Sequence, residues 1–248
     1  MARLGRLRTL DVFRGANSRR HLPRARLSDH NARLQPPATR ASTPLSVQPQ
    51  SPPMTILHYQ TPQAWLDTVL GDFDPFLQDH ASAEKKAAGM AVNMISHYPD
   101  RRTLVSRMSD LAVEEMTHYR EVIRLLHERN MHPADDTKDH YVAALRKEIR
   151  KGPEYYLLDQ LLIAGIIEAR GAERFGLVAE GLPPGRLKNF YEAINRSEER
   201  HHQLFFDLAA HYFPRSAAHA DPVAERLQAL LAREAEICAA LPLRAALH

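Results

Sequence analysis

Two short steps of the chain carry the residue types that do metal chemistry. Asp110–His118 reads DLAVEEMTH and holds a Glu-x-x-His step, Glu115 to His118. The step recurs in NRSEERHH, from Glu198 to His201. On a helix, residues three apart share a face, so each step aims a carboxylate and an imidazole at one point. Two such helices, each with a partner helix that adds one more Glu, make a dinuclear iron or manganese site inside a helix bundle. One Glu-x-x-His alone more often marks a solvated face. Two of them on apolar stripes ask for four helices arranged around one centre.

The elements that must position these residues follow from periodicity. Thr61-Pro62 reads as an N-cap followed by Pro at the first helical position and opens a short helix, QAWLDTVL. A first long helix is expected over about 74–97, with Leu77, Ala81 or His80, Glu84, Ala88, Ala91 and Ile95 inward. A second is expected over about 101–129, with Leu104, Met108, Leu111, Glu115, His118, Val122 and Leu125 inward. Residues 131–153 contain a short helix near 140–151 and are long enough to cross the bundle end to end. The third helix covers about 153–179, with Leu157, Leu161, Ala164, Glu168, Ala172 and Phe175 inward. The fourth covers about 187–212, with Tyr191, Ile194, Glu198, His201, Phe205 and Leu208 inward. Asp221-Pro222 caps a last amphipathic helix reaching about 240. No strand pattern is present. The fold class is therefore all-α, a four-helix bundle with one long crossover and short flanking helices, which is the ferritin-like connection.

Phase and register choose among the acidic residues. Glu199 and His202 form a second Glu-x-x-His step, but their neighbours one turn away give a mixed face, whereas Glu198 and His201 sit between Ile194 and Phe205. Glu114 has Thr117 where a histidine is needed, so Glu115 is the candidate. Glu84 lies 16 residues before the turn at Asp100 and Glu115 lies 15 after it, at matching heights in an antiparallel pair. Around Pro184, Glu168 lies 16 before and Glu198 14 after, while Glu173 at 11 is about one turn too high, given ~1.5 Å rise per residue. Glu173 is expected on another side, paired with Arg170 or a neighbouring cation. The expected metal ligands and catalytic set are Glu84, Glu115, His118, Glu168, Glu198 and His201. Four carboxylates against two divalent cations balance, and buried carboxylates need such a counter-charge. Oxygen-rich donors with two imidazoles suit iron or manganese. His80, one turn before Glu84, is a candidate to support that ligand. Tyr119 and Tyr191 read as packing residues.

The charge is uneven along the chain. Residues 1–53 hold ten Arg, two Asp and seven of the 17 prolines, without apolar periodicity, and read as a disordered extension. Three further readings stand for them: a translation start placed too early, with Met54 the initiator; an organelle-targeting segment, from the Arg-rich and acid-poor composition; and a basic arm touching RNA. The other 195 residues hold 23 basic and 28 acidic side chains. The pI of about 9.1 therefore belongs to the extension and does not make the folded part a basic protein. Cys238 is the only cysteine, which excludes an intrachain disulfide and fits a reducing, cytoplasmic location. No run of 18 or more apolar residues exists, so no spanning helix is expected.

The strings TPQAWLD, QDHASAEKKAA, MSDLAVEEMTHY, LLIAGIIEARGAERF and SEERHH together resemble the hydroxylases that act on 2-methylthio-N6-isopentenyladenosine in tRNA. The resemblance runs from about Leu57 to Tyr212, and DHASAEKKA and IEARGAERF are its specific parts. It implies O2-dependent hydroxylation of the isopentenyl group beside the anticodon by two Fe ions held by the six residues above. It also implies a separate electron-transfer protein as donor and the tRNA anticodon loop as partner, without a membrane. Phosphate contacts are then sought among Lys85, Lys86, Arg101, Arg102, Arg146 and Lys147, and among Arg150, Lys151, Arg170, Arg174 and Arg200. The rival readings are a ferritin-like ferroxidase or peroxidase without an organic substrate, and a bundle that keeps the scaffold as an interaction module.

Overall fold

The computed structural model describes residues 56–215 and 221–248. The expectations for residues 1–53, and for Met54 as initiator, lie outside the described residues. Seven α-helices follow one another: α1 Gln63–Gly71, α2 Phe73–His97, α3 Arg102–Glu128, α4 His140–Leu145, α5 Pro153–Gly181, α6 Arg186–Tyr212 and α7 Pro222–Ala240. A 3-10 turn, Arg146–Glu148, continues α4. No strand occurs among the described residues.

The bundle is two antiparallel pairs. Short turns join α2 to α3 and α5 to α6, so each pair packs along its length. The segment from α3 to α5 is the long crossover and carries α4. Two turns depend on glycine: Gly152 and Gly185, which precede α5 and α6, sit at φ +119° and +154°, where an L side chain is strained. The third long helix is buried almost all round, with Leu157, Leu158, Leu161, Leu162, Ile163 and Ile166 inside. A helix apolar on every side needs cover on every side, and α1, α6 and α7 all pack on α5. At Gly165 an added Cβ would lie 2.5 Å from the Phe206 ring, so glycine there sets how closely α5 and α6 approach.

Three local details differ from the sequence reading. Pro62 is the N-cap of α1, not its first residue, because Thr61 gives its N–H and hydroxyl to the Glu173 carboxylate at 2.9 and 2.7 Å. Met94 and Leu126 take the inward places expected of Ile95 and Leu125. The helix expected near 140–151 is shorter, as α4 passes into the 3-10 turn and an extended Ile149. The Asp221 cap holds, its carboxylate accepting from the backbone N–H groups of Val223 and Ala224.

Arg170 and Arg174 are buried, which removes them from the candidate phosphate contacts. Arg170 forks onto Glu234 of α7 at 2.8 and 3.0 Å and pairs with Glu173, the partner expected for that residue. Such a buried guanidinium is tolerable only because its donors are all met. Arg150, another candidate, is tied to Asp159 together with Arg226. No described helix is long and apolar enough to cross a membrane.

Candidate metal centre

All six expected ligands converge. Glu84 comes from α2, Glu115 and His118 from α3, Glu168 from α5, and Glu198 and His201 from α6, and all six are buried. Their donor atoms form two sets of four, each set within 4.8 Å: Glu84, Glu115, His118, Glu198, and Glu115, Glu168, Glu198, His201. The sets share Glu115 and Glu198. Two cations would find one Glu and one His each, with Glu115 and Glu198 within reach of both.

Both imidazoles present Nδ1 to the centre. His118 Nδ1 lies 3.5 Å from Glu84, 3.7 Å from Glu115 and 3.6 Å from Glu198. His201 Nδ1 lies 2.9 Å from Glu115 and 3.2 Å from Glu198. Three of these buried atoms, Glu115 Oε1, His118 Nδ1 and Glu198 Oε1, have no hydrogen-bond partner. Buried polar atoms are nearly always satisfied, so these orphans fit ligands whose partner is a cation.

The electrostatics agree. Burial pushes the Glu115 carboxyl up, and burial with the nearby Glu198 charge pushes Glu168 well up. Burial alone would lower both histidines. The nearby Glu115 and Glu84 carboxylates instead raise His118 to about 10, and those of Glu115 and Glu198 raise His201 to about 12. The chain thus gathers protons where it crowds carboxylates, and two divalent cations would neutralise the same four charges. The oxygen-rich donor set with two imidazoles fits a dinuclear iron site.

Residues around the ligands hold them in place. His80 donates from Nε2 to Glu84 Oε1 at 2.6 Å and accepts at Nδ1 from the Tyr191 hydroxyl at 3.2 Å. His80 therefore supports Glu84 as its spacing suggested, but Tyr191 is more than packing. Glu114, rejected as a ligand, stands behind the other one. Its carboxylate lies 3.3 Å from His201 Nε2, the nitrogen facing away from the centre, and accepts from Ser197 Oγ at 2.6 Å and Arg200 at 2.7 Å. Partial burial acts to raise Glu114, but Ser197, His201 and Arg200 bring its carboxyl down to about 2. A carboxylate on the outer nitrogen fixes a ligating imidazole's tautomer and angle. Glu199 is exposed and His202 half-buried, away from the two ligand sets. Tyr119 packs beside the Leu77, Ala81, Val122 and Leu126 cluster, as expected.

Above the centre lies a cavity of about 420 Å³. Glu84, Glu115, Glu168 and Glu198 line one part of it, and Ala87, Met90, Met94, Ile163 and Ile167 make an apolar wall. Lys86, Asp139, Arg146, Gln160 and His248 add polar groups. A pocket in the ~300–1,000 Å³ range encloses a whole small molecule.

The chain matches known proteins over most of its described length. A family model described as tRNA-(MS[2]IO[6]A)-hydroxylase (MiaE) matches residues 48–248, beyond the stretch to Tyr212 that the motifs cover. A tRNA 2-(methylsulfanyl)-N(6)-isopentenyladenosine(37) hydroxylase of Pseudomonas putida is 36% identical over 152 residues, 61% of this chain and 74% of the relative. The Salmonella typhimurium protein of the same description is 28% identical over 211 residues, covering 64% and 77%. Among solved structures, a Synechococcus protein described as having aldehyde deformylating oxygenase activity superposes with a TM-score of 0.72 at 33% identity, over 77% of this chain and 94% of that one. With the fold, the six converging residues and a family match spanning most of its length, the chain belongs to the tRNA-(MS[2]IO[6]A)-hydroxylase family.

Proposed function

We propose that the chain hydroxylates the isopentenyl group of 2-methylthio-N6-isopentenyladenosine in tRNA, using two iron ions held by Glu84, Glu115, His118, Glu168, Glu198 and His201. Residues 54–248 carry this activity. The observation that carries the reading is the pair of four-donor sets sharing Glu115 and Glu198 at one side of an apolar pocket. When bound, the iron pair supplies activation of O2 with electrons from a separate protein. Everything else is work for the chain's own side chains.

Met90, Met94, Ile163 and Ile167 exclude water and give an aliphatic chain an apolar surface against which to lie. His80 and Glu114 keep Glu84 and His201 at fixed angles, so the acceptor geometry is set before substrate arrives. Lys86 and Arg146, both exposed at the pocket, are suited to phosphates flanking a base drawn out of a single-stranded loop. The rival without an organic substrate leaves the apolar wall without a purpose, since inorganic iron or peroxide gains nothing from it.

The test is a nucleoside digest of tRNA from a strain lacking this gene, with and without the gene restored, read by mass spectrometry. A gain of one oxygen on 2-methylthio-N6-isopentenyladenosine supports the assignment. An unchanged nucleoside alongside well-expressed, iron-loaded protein removes the tRNA substrate and leaves the ferroxidase or peroxidase reading.

A further inference from the structure

His248 is far in sequence from every ligand, yet it lines the same cavity as Glu84, Glu115, Glu168 and Glu198. Its ring is held on several sides. It stacks on Tyr141 with centroids 4.8 Å apart and planes 15° from parallel. Its Nδ1 lies 3.1 Å from Asp139 Oδ2, while Asp139 Oδ1 caps α4 by accepting from the Val142 N–H. The preceding backbone is pinned as well: Trp65 donates to the Ala246 carbonyl at 3.1 Å, and the Leu247 N–H donates to Asp79 at 2.7 Å. The Leu247 carbonyl accepts from Arg174. The His248 side chain is only 6% exposed, and its Nε2 is buried without a hydrogen-bond partner.

A fixed ring with one orphaned nitrogen in the wall of a substrate pocket is a group waiting for a ligand atom. The Asp139 carboxylate accepts the hydrogen bond of Nδ1–H, and in that tautomer Nε2 carries the lone pair. That lone pair needs a donor. In an adenine substituted at N6, the ring nitrogens N1, N3 and N7 are acceptors, and N6–H is the one N–H of the base. The same N6 bears the prenyl chain.

We propose that His248 is a substrate-binding residue whose Nε2 accepts the hydrogen bond of the exocyclic N6–H and thereby directs the prenyl chain toward the carboxylate cluster. This rests on the tRNA hydroxylase reading. It also extends it, because the base then enters the pocket whole, a fit to a cavity of about 420 Å³ that a five-carbon chain alone would leave mostly empty.

The test crosses two changes on the full chain loaded with iron. One is His248→Phe, which keeps an aromatic ring on Tyr141 and removes the acceptor. His248→Gln serves as the conservative variant that restores one. The other change is in the substrate: an anticodon stem-loop carrying 2-methylthio-N6-isopentenyladenosine, against the same stem-loop methylated at N6 so that the N–H is gone. Affinity is read by fluorescence anisotropy without O2, and KM and kcat are read separately with O2 and reductant. We expect the wild type to bind the N–H stem-loop about tenfold more tightly than the N6-methyl one, beyond any discrimination that His248→Phe retains. His248→Gln should recover part of that factor, and the loss in His248→Phe should fall on KM more than on kcat. A wild-type discrimination kept unchanged in His248→Phe overturns the inference while the hydroxylase reading stands. Wild-type protein that hydroxylates neither stem-loop overturns both.

Discussion

Glu168→Gln should change stability in opposite directions with and without metal. Glu168 has carboxylate neighbours, and its donor atom lies within 4.8 Å of those of Glu115 and Glu198. If it stays ionised, one such contact costs about 3.5 kcal/mol at an effective dielectric of 20. If it takes a proton at neutral pH, a group with an ordinary value of 4.5 pays a similar amount, at about 1.4 kcal/mol per pH unit. His201 nearby offsets part of either cost, and a buried amide has a desolvation cost of its own. The net expectation is that chelator-treated Glu168→Gln is more stable than wild type by about 1–2 kcal/mol. With metal present the order reverses. Loss of an anionic ligand that weakens binding ~100-fold removes about 2.7 kcal/mol of linked stabilisation. Urea unfolding of both proteins, in excess chelator and in excess Mn(II) or anaerobic Fe(II), reads both signs. A Glu168→Gln protein that is less stable in chelator, or that gains as much from metal as wild type does, refutes the reasoning.

Three further outcomes follow from residues outside the ligand set. Glu114→Ala, which frees His201 Nε2, should weaken metal binding by about 10- to 100-fold in an anaerobic Fe(II) titration. Glu234→Ala leaves the fully buried Arg170 with Glu173 as its remaining carboxylate partner and removes partners of Tyr141 and Cys238; it should cost about 3 kcal/mol in urea unfolding. Burial acts to raise the Asp159 carboxyl, but the Arg150 and Arg226 hydrogen bonds hold it below the usual range. Its stabilisation is therefore complete above the unfolded value of about 3.9 and is lost as pH falls through the lower folded value. Asp159→Asn should flatten that acid limb of a stability–pH curve measured by urea unfolding.

The convergence of the six carboxylate and imidazole residues was legible because it obeys local rules. Each Glu-x-x-His lies on one helix face, and Glu84 and Glu168 follow from the lengths on either side of two short turns. What escaped depends on packing between distant elements. Glu114 sits beside Glu115 in sequence, yet its role appears only when α6 brings His201, Ser197 and Arg200 to it. The relay from Tyr191 through His80 to Glu84 joins α6 to α2 across 111 residues. Arg170 and Arg174 stood among the candidate phosphate contacts because Glu234 and the Leu247 carbonyl, which hold them inside, lie 64 and 73 residues away. The pocket wall at His248 has no periodic signal at all, being fixed by single bonds from Asp79, Asp139, Trp65 and Arg174.

The most direct test is the mass of the modified nucleoside after the iron-loaded chain acts on tRNA with reductant under isotopically labelled O2. The account predicts one labelled oxygen on the prenyl side chain of 2-methylthio-N6-isopentenyladenosine, absent when Glu115→Ala replaces the wild type. An unlabelled or unchanged nucleoside from wild-type protein, or equal labelling by Glu115→Ala, would contradict it.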